Sequence, residues 1–314
     1  MMCFNFKNVW TKRLEGETIN DIDLSEQYIA IGTESGYVYI LDWAGKLIRK
    51  IDRIGIVSLK EGACCNRSEP IVAVKYCCSK LFFKDFSNLY VMSEDGKKLI
   101  KVIKAEGSMI TPTKDGVMVC GLEECSFYSF DGEKLWGIKT DLFQFRGSPI
   151  HYGDYWILPD NSRAVVLVVN EKISLKRGTK KVVRTITKFR SPIFDMDLCG
   201  NYLVVSDVAT IHLIDLSNPL KAKRVWKRQI AGVMFSRVAF NKSCRLIAFI
   251  ASLFGYGGTL NIFTREGSIR FAGGVSNRTP NNVKWWNDQL VIVYDHQEMV
   301  VKEKIHPVMR FVLD

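Results

Sequence analysis

The sequence predicts an all-β fold, a ring of small antiparallel sheets, and three observations predict it. Short strand-forming runs joined by polar or glycine turns recur about seven times, at a spacing of roughly 35 to 50 residues. The runs are apolar on both faces at their centres, as in Ile29-Ala30-Ile31 and Val38–Leu41, and a sheet sandwiched between two others needs that. No window shows sustained 3.6-residue periodicity with helix caps. A β-propeller satisfies all three, with four-stranded antiparallel blades, seven preferred and six the alternative.

The first unit shows the plan most clearly. Ile19–Leu24 is its inner strand and Tyr28–Gly32 its second; Thr33–Gly36 makes the turn, where Gly36 is free to take a positive φ. Tyr37–Asp42 is the third strand, and Ala44-Gly45 turns into a fourth, Lys46–Ile51. The second unit, Pro70–Ile103, is longer and less regular. In the third, Gly116–Gly121 and Ser126–Phe130 lead through Asp131-Gly132 into Glu133–Trp136. The fourth, Gly147–Leu175, is the weakest match, with Tyr155–Leu158 and Ala164–Val169 as strands. In the fifth, Tyr202–Ser206 and Thr210–Asp215 run through Asn218-Pro219 into Lys223–Trp226. In the sixth, Arg245–Leu253 and Thr259–Phe263 turn at Glu266-Gly267 into Ser268–Phe271, and the seventh has Gln289–Tyr294 and Glu298–Lys304. The blades fall at about 18–52, 56–104, 108–140, 145–178, 190–228, 232–273 and 280–304, within one domain spanning 1–314. A ring needs closure, because an open edge strand invites aggregation. Val9–Leu14 supplies an outer strand for the last blade, with Met309–Leu313 as a rival.

These residues resemble the WD-repeat and quinoprotein-like β-propeller superfamily over nearly the whole chain. Asp42-Trp43, Phe130-Asp131-Gly132 and Ile214-Asp215-Leu216 stand where such repeats often carry an aspartate after the third strand. Lys134-Leu135-Trp136 and Arg224-Val225-Trp226 are similar to the stretch whose tryptophan ends quinoprotein-like repeats. No unit carries a full Gly-His…Trp-Asp pair, so the resemblance is to a divergent member. It implies a propeller that binds protein partners, although propellers also host enzymes.

Composition narrows the function classes. At 47% hydrophobic residues, the chain is that of a soluble protein with a real core. No apolar run reaches the roughly 18 residues that a membrane span needs. The segment Met1–Trp10 carries lysine and lacks the apolar core and cleavage site of a leader. Nine cysteines, an odd number without a spacing frame, agree with a reducing compartment. The expectation is a cytoplasmic protein.

Motifs that carry chemistry are few, and each has a plainer reading. Four thiolates from Cys64-Cys65 and Cys77-Cys78 would suit zinc, but adjacent residues on a strand point to opposite faces. Buried small apolar residues are the better reading, and Cys120 and Cys125, which flank a hairpin turn, share it. His151, His212, His296 and His306 form no metal-binding or protease frame. Gly255–Gly258 lacks the Lys-Ser/Thr and helix of a phosphate loop and reads as a hairpin turn. Asp21/Asp23 and Asp195/Asp197 occupy alternate positions on inner strands, so each pair faces one way. They either line a channel that hosts a ligand or bond to neighbouring backbone. No catalytic residue, metal site or cofactor is implied.

Charge is the stronger signal. Between Arg163 and Arg245 there are 17 basic and 5 acidic residues, a net of +12 against +11 for the whole chain. The excess is therefore local. One cluster is Lys172, Lys176, Arg177, Lys180, Lys181, Arg184, Lys188 and Arg190, with no acid between. The other is Lys221, Lys223, Arg224, Lys227 and Arg228, around Trp226. Such a face attracts polyanions, and Phe189 and Trp226 offer rings for stacking on bases. The first expectation is a non-enzymatic scaffold that binds protein partners. The alternative is an RNA- or DNA-binding propeller in a nucleoprotein assembly, using a basic rim on blades four to six, and an acidic protein surface is a further candidate partner.

Overall fold

A computed structural model describes residues 5–52, 69–139, 147–160, 165–170, 183–189, 191–208, 210–229, 235–252, 257–275, 279–287, 289–294 and 298–305. Strand β1 (Asn5–Arg13) opens the chain. Blade one is β2 (Ile19–Leu24), β3 (Tyr28–Thr33), β4 (Tyr37–Asp42) and β5 (Leu47–Asp52). Blade two is β6 (Ala73–Cys77), β7 (Lys80–Lys84), β8 (Asn88–Ser93) and β9 (Leu99–Lys104). Blade three is β10 (Met109–Pro112), β11 (Val117–Cys120), β12 (Glu124–Tyr128) and β13 (Lys134–Lys139). Blade four is β14 (Ile150–Tyr152), β15 (Tyr155–Asp160), β16 (Val165–Asn170) and β17 (Val183–Lys188). Blade five is β18 (Ile193–Cys199), β19 (Tyr202–Asp207), β20 (Thr210–Asp215) and β21 (Lys223–Gln229), with a 3-10 turn at Pro219–Lys221 before β21. Blade six is β22 (Phe235–Phe240), β23 (Leu246–Ser252), β24 (Gly258–Thr264) and β25 (Ile269–Val275). The last sheet joins β26 (Pro280–Trp286), β27 (Gln289–Tyr294) and β28 (Glu298–Ile305) to β1.

Each sheet is antiparallel and runs from inner to outer strand in chain order, with β1 as the outer strand of the last. Asn5 pairs with Ile305 and Arg13 with Glu298, so the two ends of the described chain share one ladder. Met309–Leu313 lies outside the described residues. Blade four departs from its sequence boundary of about 145–178, because its outer strand is β17. The sequence between β16 and β17 is rich in lysine, which broke the strand pattern too early.

Apolar cores lie between blades, and they follow one another round the ring. Ile22 and Ile31 of blade one pack with Val291 and Met299 of the last sheet. Ile40 meets Val74 and Tyr90, and Phe82 meets Ile110 and Val119. One cluster spans blades three to five through Phe127, Trp156 and Leu203. Val204 then meets Phe249, and Ile250 meets Val283. Among the described residues, middle strands such as β3, β8 and β19 thus bury both faces, which is why their sequences are apolar without alternation. At about 1.5–3 kcal/mol per fully buried large side chain, these interfaces supply most of the drive to close the ring.

Tryptophans add a directed contact. The Trp226 indole N–H donates to the Arg265 carbonyl at 2.7 Å, joining blade five to blade six. A Cβ on Gly267 would stand 3.3 Å from the Trp226 ring, so glycine leaves room for it. Trp10 repeats this geometry: it donates to the Trp43 carbonyl at 2.9 Å and lies against Gly45. Both glycines hold positive φ, +86° and +80°, which L side chains rarely adopt.

The outermost ladder of every sheet drops one residue from register, at Val9, Ile48, Ile100, Leu135, Ile186, Val225 and Arg270. Such bulges twist an edge strand away from pairing with another chain. Two disulfides overturn part of the cysteine reading. Cys120 and Cys125 face each other directly across β11 and β12 and are bonded, because register placed them together. Cys199 at the end of β18 bonds Cys244, joining blades five and six. Cys77 and Cys78 are free thiols, and Cys64-Cys65 lies outside the described residues.

Candidate functional site

Inner strands from all seven sheets surround a central cavity of about 600 Å³. Asp21 and Asp23 project from β2, and Asp195 and Asp197 from β18. Asp21 accepts from the Val74 N–H at 3.2 Å and Asp23 from the Tyr76 N–H at 2.8 Å. Asp195 accepts from Val238 at 3.0 Å and Asp197 from Phe240 at 2.6 Å. Each pair therefore reaches sideways to alternate backbone N–H groups on the next blade's inner strand. Those N–H groups point off the free edge of their sheet, and the carboxylates satisfy them.

Three cations balance the four acids. Lys75 Nζ lies 2.8 Å from Asp21, Lys284 Nζ 3.5 Å from Asp23, and an Arg237 nitrogen 3.7 Å from Asp195. The Asn282 side-chain amide N–H donates a hydrogen bond to Asp21 at 3.2 Å. Burial acts to raise the Asp21 pKa, but Lys75 and Lys284 outweigh it and hold the acid below its ordinary value. Burial wins at Asp195, which is raised despite Arg237, and pushes Asp197 up to about 6. Burial also opposes the charge on Lys284, yet Asp23, Asp197, Asp21 and Asp195 together keep its pKa raised. Among the described residues no three His, Cys, Asp or Glu side chains converge as metal ligands. Of the two sequence readings of these acids, bonding to neighbouring backbone is the one seen.

The basic residues that are described fall on outer strands or in the turn before one. Arg184 and Lys188 belong to β17, while Lys172, Lys176, Arg177, Lys180, Lys181 and Arg190 lie outside the described residues. Lys223, Arg224, Lys227 and Arg228 on β21 are exposed, as is Lys221 in the turn before it. β17 lies against the turn at Pro219–Lys221, so the outer strands of blades four and five adjoin. Within this sector Asp215 sits beside Lys223, its carboxyl held below the usual range chiefly by the Ser217 hydroxyl and N–H. Two aromatic residues have other partners. Phe189 is buried, edge-on to His212 with ring centroids 4.8 Å apart, and Trp226 is docked on blade six. Sequence alone missed that docking as the reason for the tryptophan's place in the basic cluster.

The remaining candidates are structural in their contacts. His212 is buried with Nε2 3.3 Å from Asp207. His151 lines the cavity and packs on Trp156 at 4.7 Å between centroids. His296 and His306 lie outside the described residues, as do residues 255 and 256 of the glycine run, whose last glycine opens β24.

No family model matches the sequence, and no curated protein matches it. Solved structures do match the fold. The β-propeller domain of Cps50 (Swd1) from Myceliophteria thermophila aligns at TM-score 0.73 and 12% identity, over 95% of this chain and 99% of that one. BamB from Moraxella catarrhalis aligns at 0.60 and 10%, over 95% and 100%. KlHsv2 with loop 6CD replaced by a Gly-Ser linker aligns at 0.63 and 14%, over 90% of both chains. The chain thus has the β-propeller fold.

Proposed function

We propose that the protein is a non-enzymatic interaction propeller of the cytoplasm that holds protein partners on its faces and side rim. One observation carries the reading: the channel acids are spent on neighbouring backbone and cations, whereas β21 carries exposed positive side chains at Lys223, Arg224, Lys227 and Arg228. A charged surface that needs no reorganisation speeds encounter with an oppositely charged partner. The same exposed edge favours a second reading, in which a basic rim on blades four to six grips RNA or DNA through its phosphates.

A tagged copy recovered from native cells separates the two. A defined protein retained after nuclease treatment, and lost with Lys223→Glu/Lys227→Glu, supports the first. Retention that vanishes with nuclease, and an affinity for a single-stranded RNA that falls steeply with salt, supports the second. Equal recovery by parent and double variant refutes the rim in both.

A further inference from the structure

The side of the disc formed by the blade-two and blade-three loops carries the two most exposed large apolar residues among those described at loop tips. Phe86 is 51% exposed and Leu122 63% exposed. Each belongs to the loop between the second and third strands of its blade, and Gly107 lies between them in the connection from β9 to β10. The Gly107 N–H donates to the Phe86 carbonyl at 3.2 Å. On its other side a Cβ at Gly107 would meet the Cys120 carbonyl oxygen at 2.6 Å and the Gly121 nitrogen at 3.0 Å. The floor between the two apolar tips is therefore bare backbone.

Both tips stand on rigid supports. Lys84 is fully buried and spends its ammonium on the Phe86 and Ala105 carbonyls, tying the two loops from beneath. Asp85 accepts from the Ser87 and Asn88 N–H groups at 2.9 and 2.6 Å and from the Tyr90 hydroxyl at 2.9 Å. The Leu122 tip is pinned by the direct cross-strand pairing of Cys120 with Cys125 and by the Gly121 N–H on the Glu124 carbonyl at 2.8 Å. Holding an apolar side chain in water on a fixed loop brings no stability. It does lower the entropy cost of binding, since nothing there has to be ordered.

Carboxylates border the saddle. Glu106 and Glu123 are exposed beside Gly107 and Leu122, and Glu69 and Glu106 both lie within electrostatic reach of Lys84. Lys104 and, across the ladder from Glu124, Lys139 are exposed cations on the same border; with Glu124 paired to Lys134, Glu69, Glu106 and Glu123 exceed them by one negative charge. The local balance is negative, opposite to the rim of blades four and five.

The geometry points to a peptide-docking site: a partner segment seats an apolar side chain over Gly107, between Phe86 and Leu122, with flanking lysine or arginine against Glu106 and Glu123. This goes beyond the rim: it is a second, separate surface for a protein partner, and it rests on the protein-binding reading. Apolar anchors in rigid surroundings dominate such contacts, and the bordering charges set orientation and encounter.

The probe is a fluorescein-labelled Lys-Arg-Lys-Leu-Phe-Lys-Arg-Lys peptide, with an all-lysine octamer as control, titrated by anisotropy against the full chain. The parent should bind the apolar peptide and prefer it over the control. Phe86→Ser and Leu122→Ser should each weaken it by about tenfold, and Glu106→Lys by about threefold. Both serine variants sit at exposed tips and keep the fold, which circular dichroism checks. Lys223→Glu/Lys227→Glu should leave peptide binding unchanged, so failure here is distinct from failure of the rim. Equal affinity for both peptides, or serine variants that bind like the parent, overturns the site. A parent dimer that the serine variants convert to monomer also overturns it, since the face would then meet a second copy.

Discussion

Asp197→Asn tests the channel account with a signed pH dependence. Burial lifts the Asp197 carboxyl from its ordinary 3.8 to about 6. A group raised in this way binds its proton more tightly folded than unfolded, so its contribution to stability is complete below about 3.8 and is lost as pH rises through about 6. At 1.36 kcal/mol per pKa unit, the shift corresponds to ~3 kcal/mol against the folded state at pH 7. Asp197 is partly open to the cavity, and solvent reduces that to about 1–2 kcal/mol. Asparagine keeps an oxygen for the Phe240 N–H, whose bond to Asp197 is 2.6 Å. Urea unfolding at pH 7 should therefore show the variant more stable by about 1–2 kcal/mol, with the gap closing by pH 4. The Asp195 charge is one of the causes that raise Asp197, so replacing Asp197 also relieves Asp195 and adds to the gain at pH 7. A variant less stable than the parent at pH 7, by a margin that persists at pH 4, would refute the reasoning.

Other outcomes follow from the blade contacts. Trp226→Ala should lower stability by about 2–3 kcal/mol, somewhat less than truncation of a fully buried tryptophan; Trp226→Phe should recover the packing on Gly267 but not the bond to Arg265, and calorimetry reads both. Reducing Cys199–Cys244, which closes a separation of 45 residues, should cost about 3–4 kcal/mol. Rapid alkylation of the protein in native cells checks the cytoplasmic proposal, because a reducing compartment would leave those thiols open to the reagent.

The ring was legible because blade strands must be apolar on both faces, so Ile29-Ala30-Ile31 and Leu203–Val205 stand out without alternation. Turn glycines such as Gly45 and Gly267 marked the hairpins, and Trp226 marked a blade end by resemblance. Blade four's outer strand was lost because Val183–Lys188 follows a lysine-rich stretch that masks strand propensity. The disulfides were illegible for a different reason. Cys120 and Cys125 face one another only once the register of β11 and β12 is fixed, and Cys199 meets Cys244 only through the packing of two blades. The Asp-x-Asp pairs showed their common direction in sequence, but their backbone partners, 43 and 53 residues away, are set by the closing of the ring. The basic residues of β21 lie exposed on an outer strand, the kind of edge that charge clustering marks in sequence.

The most direct test compares partner retention by two variants of tagged protein from native cells. Lys223→Glu/Lys227→Glu should lose the partner gripped by the rim, protein or nucleic acid, while Asp197→Asn should keep it, because the rim carries that contact and the channel only holds blades together. Loss with Asp197→Asn and retention with the rim variant would contradict the account.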